Sequence, residues 1–329
     1  AAGISPGEEV LVPPVTDMGT LVPILWQGAV PVFVDLEPDT YEMSPEAAEA
    51  AITPKTKAVI AVHLWGNPCD MEALEALCKK HDLVLIEDCA QAWGAVYKGR
   101  PVGTMGAMGC FSLNEFKHIS CGDGGLTVTQ DEQLARRLRL ATDKCYSREA
   151  NVAIRQPRFL ANNYRMTELQ GAVSLAQFEK LDSIVARRCA WCEKLSEGLA
   201  GAKCITLPRH TKGAEPSWWF YMFRVNEEVA GVSTDEFAEV LQAEGLPVAP
   251  HYIGEPMYRY PVFKDHSAYD RAEHPFSRMD YAKASCPVAE EILNTCIQLA
   301  VNEGWSEENL REAVEGILKV DRWFAEKNK

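Results

Sequence analysis

A lone lysine, Lys117, lies in the segment CFSLNEFKHISCGDGGLTVT, between two runs typical of β-strands. Gly122, Gly124 and Gly125 follow it closely, and glycine lets a backbone approach a ligand and adopt positive φ. An amine held in such a loop and partly desolvated could stay unprotonated and attack an aldehyde. Taken alone, however, the pattern is more typical of a solvated loop lysine beside a turn.

Polar residues suited to hold a cofactor accompany this lysine. Asp88 and Gln91 lie upstream in IEDCAQAWGA. Asp88 directly follows an apolar strand, where burial is costly without a cationic partner such as a protonated pyridine nitrogen. Ser112 offers a hydroxyl to a phosphate oxygen, and Asn163, in ANNYRMTELQGAV, offers an amide donor. Together these residue types favour a cofactor that carries an aldehyde, a pyridine ring and a phosphate.

The elements that must position these residues are short β-branched runs that alternate with helical patterns. The strand-like runs are EEVLVPP, VPVFVD, KAVIAVHL, LVLIED, GCFSL and GGLTVT, and helical patterns extend from Ser44 to Ile52 and from Asp70 to His81. This alternation predicts an α/β fold with a doubly wound, mainly parallel sheet. Ligands of such sheets bind beyond the carboxyl ends of the strands, which is where Asp88 and Ser112 fall.

The rest of the chain predicts a second, smaller domain. Helical spacing from Thr167 to about Leu199 predicts one long helix that bridges two lobes. Further on, WWFYMFRV is strand-like, and helices are predicted from Thr234 to Glu244 and from Ser306 to Phe324. A chain of 329 residues exceeds one ordinary core. We therefore expect a large α/β domain over residues 1–199 and a small α+β domain over residues 200–329.

Composition narrows the possible partners. The net charge is −14, from 33 basic and 47 acidic residues, so we expect no nucleic-acid partner. No apolar run reaches the roughly 20 residues that span a bilayer, so we expect no membrane partner and a cytoplasmic location. Eleven cysteines are mostly scattered, as expected of reduced thiols. Cys189 and Cys192 have CxxC spacing in a helical run without a second pair, so we expect no metal site.

The motifs EDxAQxxGA, FSxxxxK, GxGG and NYRMTELQGAV, in this order, resemble the DegT/DnrJ/EryC1/StrS family of sugar aminotransferases. These enzymes depend on pyridoxal 5'-phosphate (PLP) and have the aspartate aminotransferase fold, fold type I. The resemblance covers nearly the whole chain, including PVFVDLEPDTYEMSPEAAEAAITPKTKAVIAVHLWGNPCDM.

The resemblance implies a role for each candidate residue. Lys117 would form the Schiff base with PLP, and Asp88 would pair with the pyridinium nitrogen. Gln91 would contact the ring or its phenolic oxygen, and Ser112 would bind the phosphate. Asn163 would reach the phosphate in the neighbouring subunit, which implies a homodimer with shared active sites.

The implied reaction transfers an amino group from an amino acid, L-glutamate or L-glutamine, to a keto acceptor. By the same resemblance the acceptor is a keto sugar linked to a nucleotide, or a keto-cyclitol. One alternative is a non-catalytic PLP-binding sensor or regulator, since a fold does not fix a function. Another is a PLP-dependent sugar dehydratase, in which histidine replaces the lysine. Lys117 argues against the dehydratase, although His118 lies next to it.

Two features depart from the family pattern. Family members carry an aromatic residue that stacks on the PLP ring, whereas this chain has Asp17 in VTDMGT, which leaves the stacking partner open. Family members also have an upstream SGTAAL-like turn that binds the phosphate, whereas this chain opens at AAGISPGEEV. We therefore expect a sequence that is short at its N-terminus and that binds PLP more weakly for it.

Several aromatic and histidine residues allow two interpretations. His63, at the end of an apolar strand, is more typical of a core histidine than of a base. Trp65 fits either the border of a substrate pocket or plain packing. The run from Trp218 to Tyr221 is more typical of a core or an interface than of a ligand site. His251 and Tyr252 match a family segment near the active-site mouth and could contact substrate.

Overall fold

The computed structural model describes residues 1–148, 157–268 and 274–327. In residues 1–199 the strands are β1 (Glu9–Val12), β2 (Val30–Phe33), β3 (Thr56–Val62), β4 (Val84–Asp88), β5 (Val96–Tyr97), β6 (Arg100–Pro101), β7 (Met108–Ser112) and β8 (Gly125–Val128). The helices there are α1 (Met18–Trp26), α2 (Pro45–Ala51), α3 (Met71–His81), α4 (Glu132–Ala141), α5 (Glu168–Phe178) and α6 (Leu181–Leu199), with a 3₁₀ turn at Leu64–Gly66.

Six of these strands form one sheet in the order β2-β1-β3-β4-β7-β8. All neighbours are parallel except β7 and β8, which confirms the predicted mainly parallel α/β sheet. Asp88, the last residue of β4, pairs with Cys110 of β7. The carboxyl ends of β4 and β7 therefore lie side by side, and Asp88 and Ser112 share one edge of the sheet.

Both faces of the sheet are covered, because successive side chains of β3 point into two different core clusters. Ala58, Ile60 and Val62 pack into the larger core cluster, which includes the inner face of α1. Val59 and Ala61 point the other way, into a cluster with α2 and α3. A strand buried on both faces needs a nearly continuous apolar run, which is what TKAVIAV supplies.

The prediction of a single helix from Thr167 to Leu199 is wrong, because α5 ends at Phe178 and α6 begins at Leu181. Between them the Lys180 N–H bonds to the Gln177 carbonyl at 3.0 Å, one residue short of the α-helical partner. The break lets the two helices meet different surroundings. No residue of α5 is buried, whereas α6 buries six, including Leu181.

Residues 200–327 contain a second sheet of four antiparallel strands in the order β12-β13-β11-β9. The strands of this part are β9 (Ile205–Thr206), β10 (Ala214–Glu215), β11 (Tyr221–Val225), β12 (Val248–Pro250) and β13 (Cys296–Leu299). Its helices are α7 (Glu227–Ala230), α8 (Thr234–Ala243), α9 (Pro261–Lys264), α10 (Pro287–Thr295) and α11 (Glu307–Lys327), with 3₁₀ turns at Met257–Arg259, Pro275–Arg278 and Tyr281–Lys283.

The two parts of the chain are packed together closely. Strand β10 pairs with β5 of the N-terminal part and so completes a three-stranded sheet with β6. The larger core cluster also runs continuously from Val10 near the start of the chain to Phe324 in α11. Across the described ranges, every helix is too short or too polar to cross a bilayer.

Candidate active site

A cavity of about 480 Å³ opens at the edge of the large sheet where β4 and β7 end. We call it the Lys117 cavity. Its wall includes Asp88, Gln91, Ser112 and Lys117, so four of the five predicted site residues meet there. Their stretches of sequence converge because parallel neighbouring strands present their carboxyl ends at one edge. Further lining residues are Thr16, Asp17, Thr20, Cys110, Phe111 and Asn114.

The Asp88 carboxylate is oriented by two donors. Its Oδ2 accepts a hydrogen bond from the Thr20 hydroxyl at 2.7 Å, and its Oδ1 accepts one from the Ala90 N–H at 3.0 Å. Because the single proton of Thr20 is used in this way, the Thr16 hydroxyl, 2.7 Å from it, must be the donor between the two threonines. Donors on both oxygens hold the carboxylate in one orientation. Thr16 and Thr20 were not predicted from the sequence, and their only signal is the T-x-x-x-T spacing around the start of α1.

Lys117 lies on a tight loop between β7 and β8. Its N–H bonds back to the Asn114 carbonyl at 3.1 Å, and Gly122 further along the loop has a φ of 89°. Burial lowers the pKa of the Lys117 amine, while the carboxylates of Asp17 and Asp88 act in the opposite direction. The amine is therefore more easily deprotonated than that of a solvated lysine, although two negative charges face it.

Asp17 stands where a ring-stacking aromatic residue was expected, and its side chain has a local structural role. Its Oδ1 accepts a hydrogen bond from the Gly19 N–H at 2.7 Å and so caps the N-terminus of α1. The same carboxylate raises the pKa of Lys117 across the cavity. Asp17 therefore places a negative charge in the cavity, whereas an aromatic residue at this position would present a flat apolar surface.

Gln91 is held at both ends of its amide. Its Oε1 accepts a hydrogen bond from the Trp65 N–H at 2.8 Å, and its Nε2 donates one to the Tyr252 hydroxyl at 3.0 Å. Trp65 is fully buried, so packing is its main role, and only its backbone contacts a site residue. Burial raises the pKa of Tyr252, so its phenol stays neutral at physiological pH.

The Ser112 hydroxyl is available to a ligand. Its Oγ accepts a hydrogen bond from the Asn114 N–H at 3.2 Å, and its proton has no acceptor among the described residues. The Ser112 carbonyl is fixed by the indole N–H of Trp93 at 2.7 Å. The residue is therefore rigid at its backbone and free to donate from its side chain, as a phosphate ligand must be.

Asn163 is placed differently from the other four predicted residues. It is exposed and does not belong to the described lining of the Lys117 cavity. Its Oδ1 accepts a weak hydrogen bond from the Arg165 N–H at 3.4 Å, and its backbone forms a bridge with Asp143. Within one chain, Asn163 therefore lies apart from Lys117 and Asp88.

A buried hydrogen-bond network around His63 and Glu87 supports the sheet behind the cavity. The His63 Nδ1 accepts a hydrogen bond from the Cys69 N–H at 3.1 Å, so its Nε2 carries the proton and donates it to Glu87 at 3.2 Å. Glu87 also accepts the N–H groups of Gly103, Met105 and Gly106, at 2.7, 2.7 and 2.6 Å. Burial alone would raise the pKa of Glu87, but these hydrogen bonds outweigh it and lower the pKa.

This network is structural, in agreement with the prediction of a core histidine. The Cys89 thiol lies within 4.8 Å of the His63 and Glu87 ligand atoms, which is a spacing that a metal ion could bridge. However, both ring nitrogens and both carboxylate oxygens already have protein partners. The loop that Glu87 binds leads directly into β7, so the network fixes the strand that carries Ser112.

The C-terminal part supplies Trp219, which belongs to the aromatic run that the sequence predicted to be core or interface and which instead contacts a site residue. Trp219 lies against Lys117, with the lysine Nζ 3.8 Å from the ring centre. Its neighbours Trp218, Phe220 and Tyr221 are buried, as expected of a core run. Of the two possible substrate contacts, only Tyr252 reaches a site residue, because the His251 ring bonds to the Leu293 carbonyl at 2.9 Å.

Comparison with known proteins identifies the fold and the chemistry. A family described as the DegT/DnrJ/EryC1/StrS aminotransferase family matches residues 1–318. DesV of S. venezuelae, solved in complex with a ketimine intermediate, is 32% identical with a TM-score of 0.83, over 98% of this chain and 80% of that one.

Two further solved structures are similar. The 3-amino-5-hydroxybenzoic acid (AHBA) synthase is 28% identical with a TM-score of 0.83, over 97% of this chain and 81% of that one. The sugar aminotransferase CalS13 from Micromonospora echinospora is 25% identical with a TM-score of 0.83, over 97% and 82%. The chain therefore belongs to the DegT/DnrJ/EryC1/StrS aminotransferase family, whose members are PLP-dependent enzymes of fold type I.

Proposed function

We propose that this aminotransferase moves an amino group from L-glutamate to a keto sugar, linked to a nucleotide, or to a keto-cyclitol. The observation that carries the proposal is the meeting of Lys117 and Asp88 in one cavity at the carboxyl edge of the sheet. The acceptor class is supported by two similar proteins, one named a sugar aminotransferase and the other a synthase of an aminated ring.

The residues present fit PLP. A cavity of about 480 Å³ is within the range of small-molecule sites. Its wall combines an amine of lowered pKa, an oriented carboxylate and a hydroxyl with a free proton, at Lys117, Asp88 and Ser112. These groups match the aldehyde, the ring nitrogen and the phosphate of the cofactor. When bound, PLP supplies an aldehyde that captures amino groups and a ring that takes up the electron pair left by a departing proton.

Lys117 has two tasks in this proposal. Because burial lowers the pKa of its amine, the unprotonated form that bonds to the cofactor is more populated than in a solvated lysine. Once free of the cofactor, the Lys117 Nζ would move the proton from the Cα of the amino donor, acting as a general base and then as a general acid. Both tasks need the same amine at the same wall of the cavity.

Asp88 would provide the negative charge that pairs with the protonated ring nitrogen of PLP. Its two oxygens are hydrogen-bonded to Thr20 and to the Ala90 N–H, which fixes the direction of the carboxylate. A fixed carboxylate beside the ring nitrogen favours the protonated, electron-accepting form of the ring. Gln91, anchored by Trp65 and Tyr252, would contact the ring, and Ser112 would donate to the phosphate.

We also propose a homodimer in which Asn163 binds the phosphate of the partner's cofactor. The support is a set of exposed apolar side chains on α5 and on the edge strand β8. Leu169 and Leu175 of α5 are 81% and 72% exposed, and Leu126 and Val128 of β8 are exposed too. A second copy of the chain that covered these apolar side chains would remove them from water. Asn163, which lies apart from the Lys117 cavity of its own chain, could then contact the Lys117 cavity of the second copy.

The proposal includes two domains and a cytoplasmic location. We infer a large cofactor-binding domain over residues 1–199 and a smaller α+β domain over residues 200–329, supported by a separate antiparallel sheet in the second part. The location is supported by the eleven cysteines, all of which are free thiols. A dehydratase is disfavoured because the His118 ring is buried and bonds to the Ser217 carbonyl at 2.9 Å.

The test is a two-step reaction of the purified holoenzyme. L-Glutamate alone should abolish the visible absorption band of the bound cofactor, and a panel of nucleotide-linked keto sugars and keto-cyclitols should then restore it. D-Glutamate serves as the control and should leave the spectrum unchanged. A band that L-glutamate does not alter would indicate a binding protein. A band restored only by 2-oxo acids would show that the proposed acceptor class is wrong.

A further inference from the structure

Trp219 makes two contacts with the loop that carries the reactive lysine. The Lys117 Nζ lies 3.8 Å from the centre of its ring, well within the distance at which a cation and an indole attract each other. The Trp219 Nε1 donates a hydrogen bond to the carbonyl of Phe116, the preceding residue, at 2.7 Å. One side chain therefore holds both the backbone before Lys117 and the amine at the end of its side chain.

Trp219 is itself fixed from both sides. Its N–H donates to the Trp65 carbonyl at 2.8 Å, and its own carbonyl accepts from the Arg188 Nη1 at 2.9 Å. The Arg188 guanidinium is buried and paired with Glu303 at 2.8 Å, so its position is also fixed. These bonds fix the Trp219 backbone against α6 and the turn after β3, and the bond to the Phe116 carbonyl fixes its indole.

The Trp219 ring is one of few groups around Lys117 that can stabilise its protonated amine. The groups that face the amine are the carboxylates of Asp17, at the start of α1, and Asp88, at the end of β4, and the ring of His118. Burial lowers the pKa of His118 to about 3, so that ring is neutral. Once Asp88 pairs with the cofactor ring, Asp17 and the face of Trp219 are left to stabilise a protonated Lys117.

We propose that Trp219 is a positioning residue that provides the resting place of Lys117 whenever the lysine is not bonded to the cofactor. This inference rests on the proposed role of Lys117. In the half of the reaction cycle in which the cofactor carries the amino group, the lysine is free and would otherwise sample many rotamers. Held on the indole, its Nζ stays at the cavity wall, ready to transfer a proton and to bond to the cofactor again.

The test measures Lys117 in the holoenzyme loaded with pyridoxamine phosphate, where its amine is free. Trace labelling with acetic anhydride over a range of pH, read by mass spectrometry, gives the apparent pKa of Lys117, with the exposed Lys57 as internal reference. Trp219→Leu removes the ring and should lower that pKa by about half a unit to one unit. Trp219→Phe keeps a weaker ring and should give a smaller fall.

The matched control is Trp323→Leu, which removes an indole lying 5.0 Å from the Nζ of Lys327 on α11. It should leave the pKa of Lys117 unchanged. An unchanged pKa in Trp219→Leu, or an equal fall in Trp323→Leu, would overturn the proposal. If Trp219→Leu does not fold, Trp219→Phe against the unaltered protein decides in the same way, because phenylalanine attracts a cation less than tryptophan does.

A parallel measurement separates this inference from the proposed function. Borohydride reduction of the PLP-loaded protein, followed by peptide mapping, should label Lys117 in every variant. A label at Lys117 with no effect of Trp219 would overturn only the resting-place proposal. A label on a different lysine would overturn the role of Lys117 itself.

Discussion

The side-chain amide of Gln91 donates a hydrogen bond to the hydroxyl of Tyr252 across 3.0 Å. Because the other end of the amide accepts from the Trp65 N–H, the orientation of the amide is determined. The Tyr252 oxygen is then the acceptor in this bond. Gln91 follows β4 and Tyr252 follows β12, so this bond joins the wall of the cavity to the C-terminal part of the chain.

Tyr252→Phe should lower kcat/KM about fivefold, because the Gln91 amide loses its acceptor at a net cost of about 1 kcal/mol. Gln91→Ala should have a similar effect, and the double variant should be little worse than either single one. Steady-state kinetics of the four proteins tests this. Additive losses would mean that the two residues act independently.

Lys117→Ala should abolish the covalent link to the cofactor, because Lys117 is the only lysine in the described wall of the cavity. The variant should lose both the visible absorption band and the peptide labelled by borohydride. Lys144→Ala, a change in a lysine outside the described cavity wall, serves as the control and should keep both. A labelled peptide in Lys117→Ala would refute the assignment.

Asp88→Asn should still bind PLP but should slow transamination by at least about a hundredfold, since a neutral amide no longer favours the protonated ring. Thr20→Val, which removes one hydrogen bond from the same carboxylate, should cost only about tenfold. Single-turnover rates with L-glutamate measure both. Near-normal turnover in Asp88→Asn would remove Asp88 from the mechanism.

Glu87→Gln should destabilise the fold by about 3 kcal/mol, because an amide has one oxygen where the carboxylate accepts three backbone N–H groups and His63. The folded-state pKa of Glu87 lies below its ordinary value of 4.5. Its stabilising contribution is therefore complete above pH 4.5 and is lost as the pH falls through the folded-state pKa. Urea unfolding at several pH values should show this loss in the unaltered protein and its absence in Glu87→Gln.

Leu175→Glu should convert the proposed dimer to a monomer, because a charge on the exposed face of α5 could not be buried against a second copy. Trp323→Glu, at an exposed position on α11, should leave the assembly unchanged. Sedimentation velocity distinguishes the two sizes. A Leu175→Glu protein of unchanged size would show that α5 does not lie in the interface.

The sequence by itself determined the strands of the large sheet and the edge of that sheet at which the site residues lie. Six apolar runs predicted the six strands, most clearly at β3, where a strand buried on both faces needs a continuous β-branched segment. The rule that ligands bind beyond the carboxyl ends of parallel strands then placed Asp88 and Ser112 at one edge. The glycines after Lys117 likewise predicted a tight loop, in which Gly122 does adopt positive φ.

Only the tertiary structure decided which side chains orient these residues. Thr20 donates to Asp88, Tyr252 accepts from Gln91 and Trp219 packs on Lys117, and each pair is far apart in the chain. Helical or strand periodicity shows which face of an element is buried, but not what that face meets. The same limit hid the break between α5 and α6, whose apolar spacing is continuous although one helix is exposed and the other buried. Packing between distant elements created these contacts, so local sequence carried no signal for them.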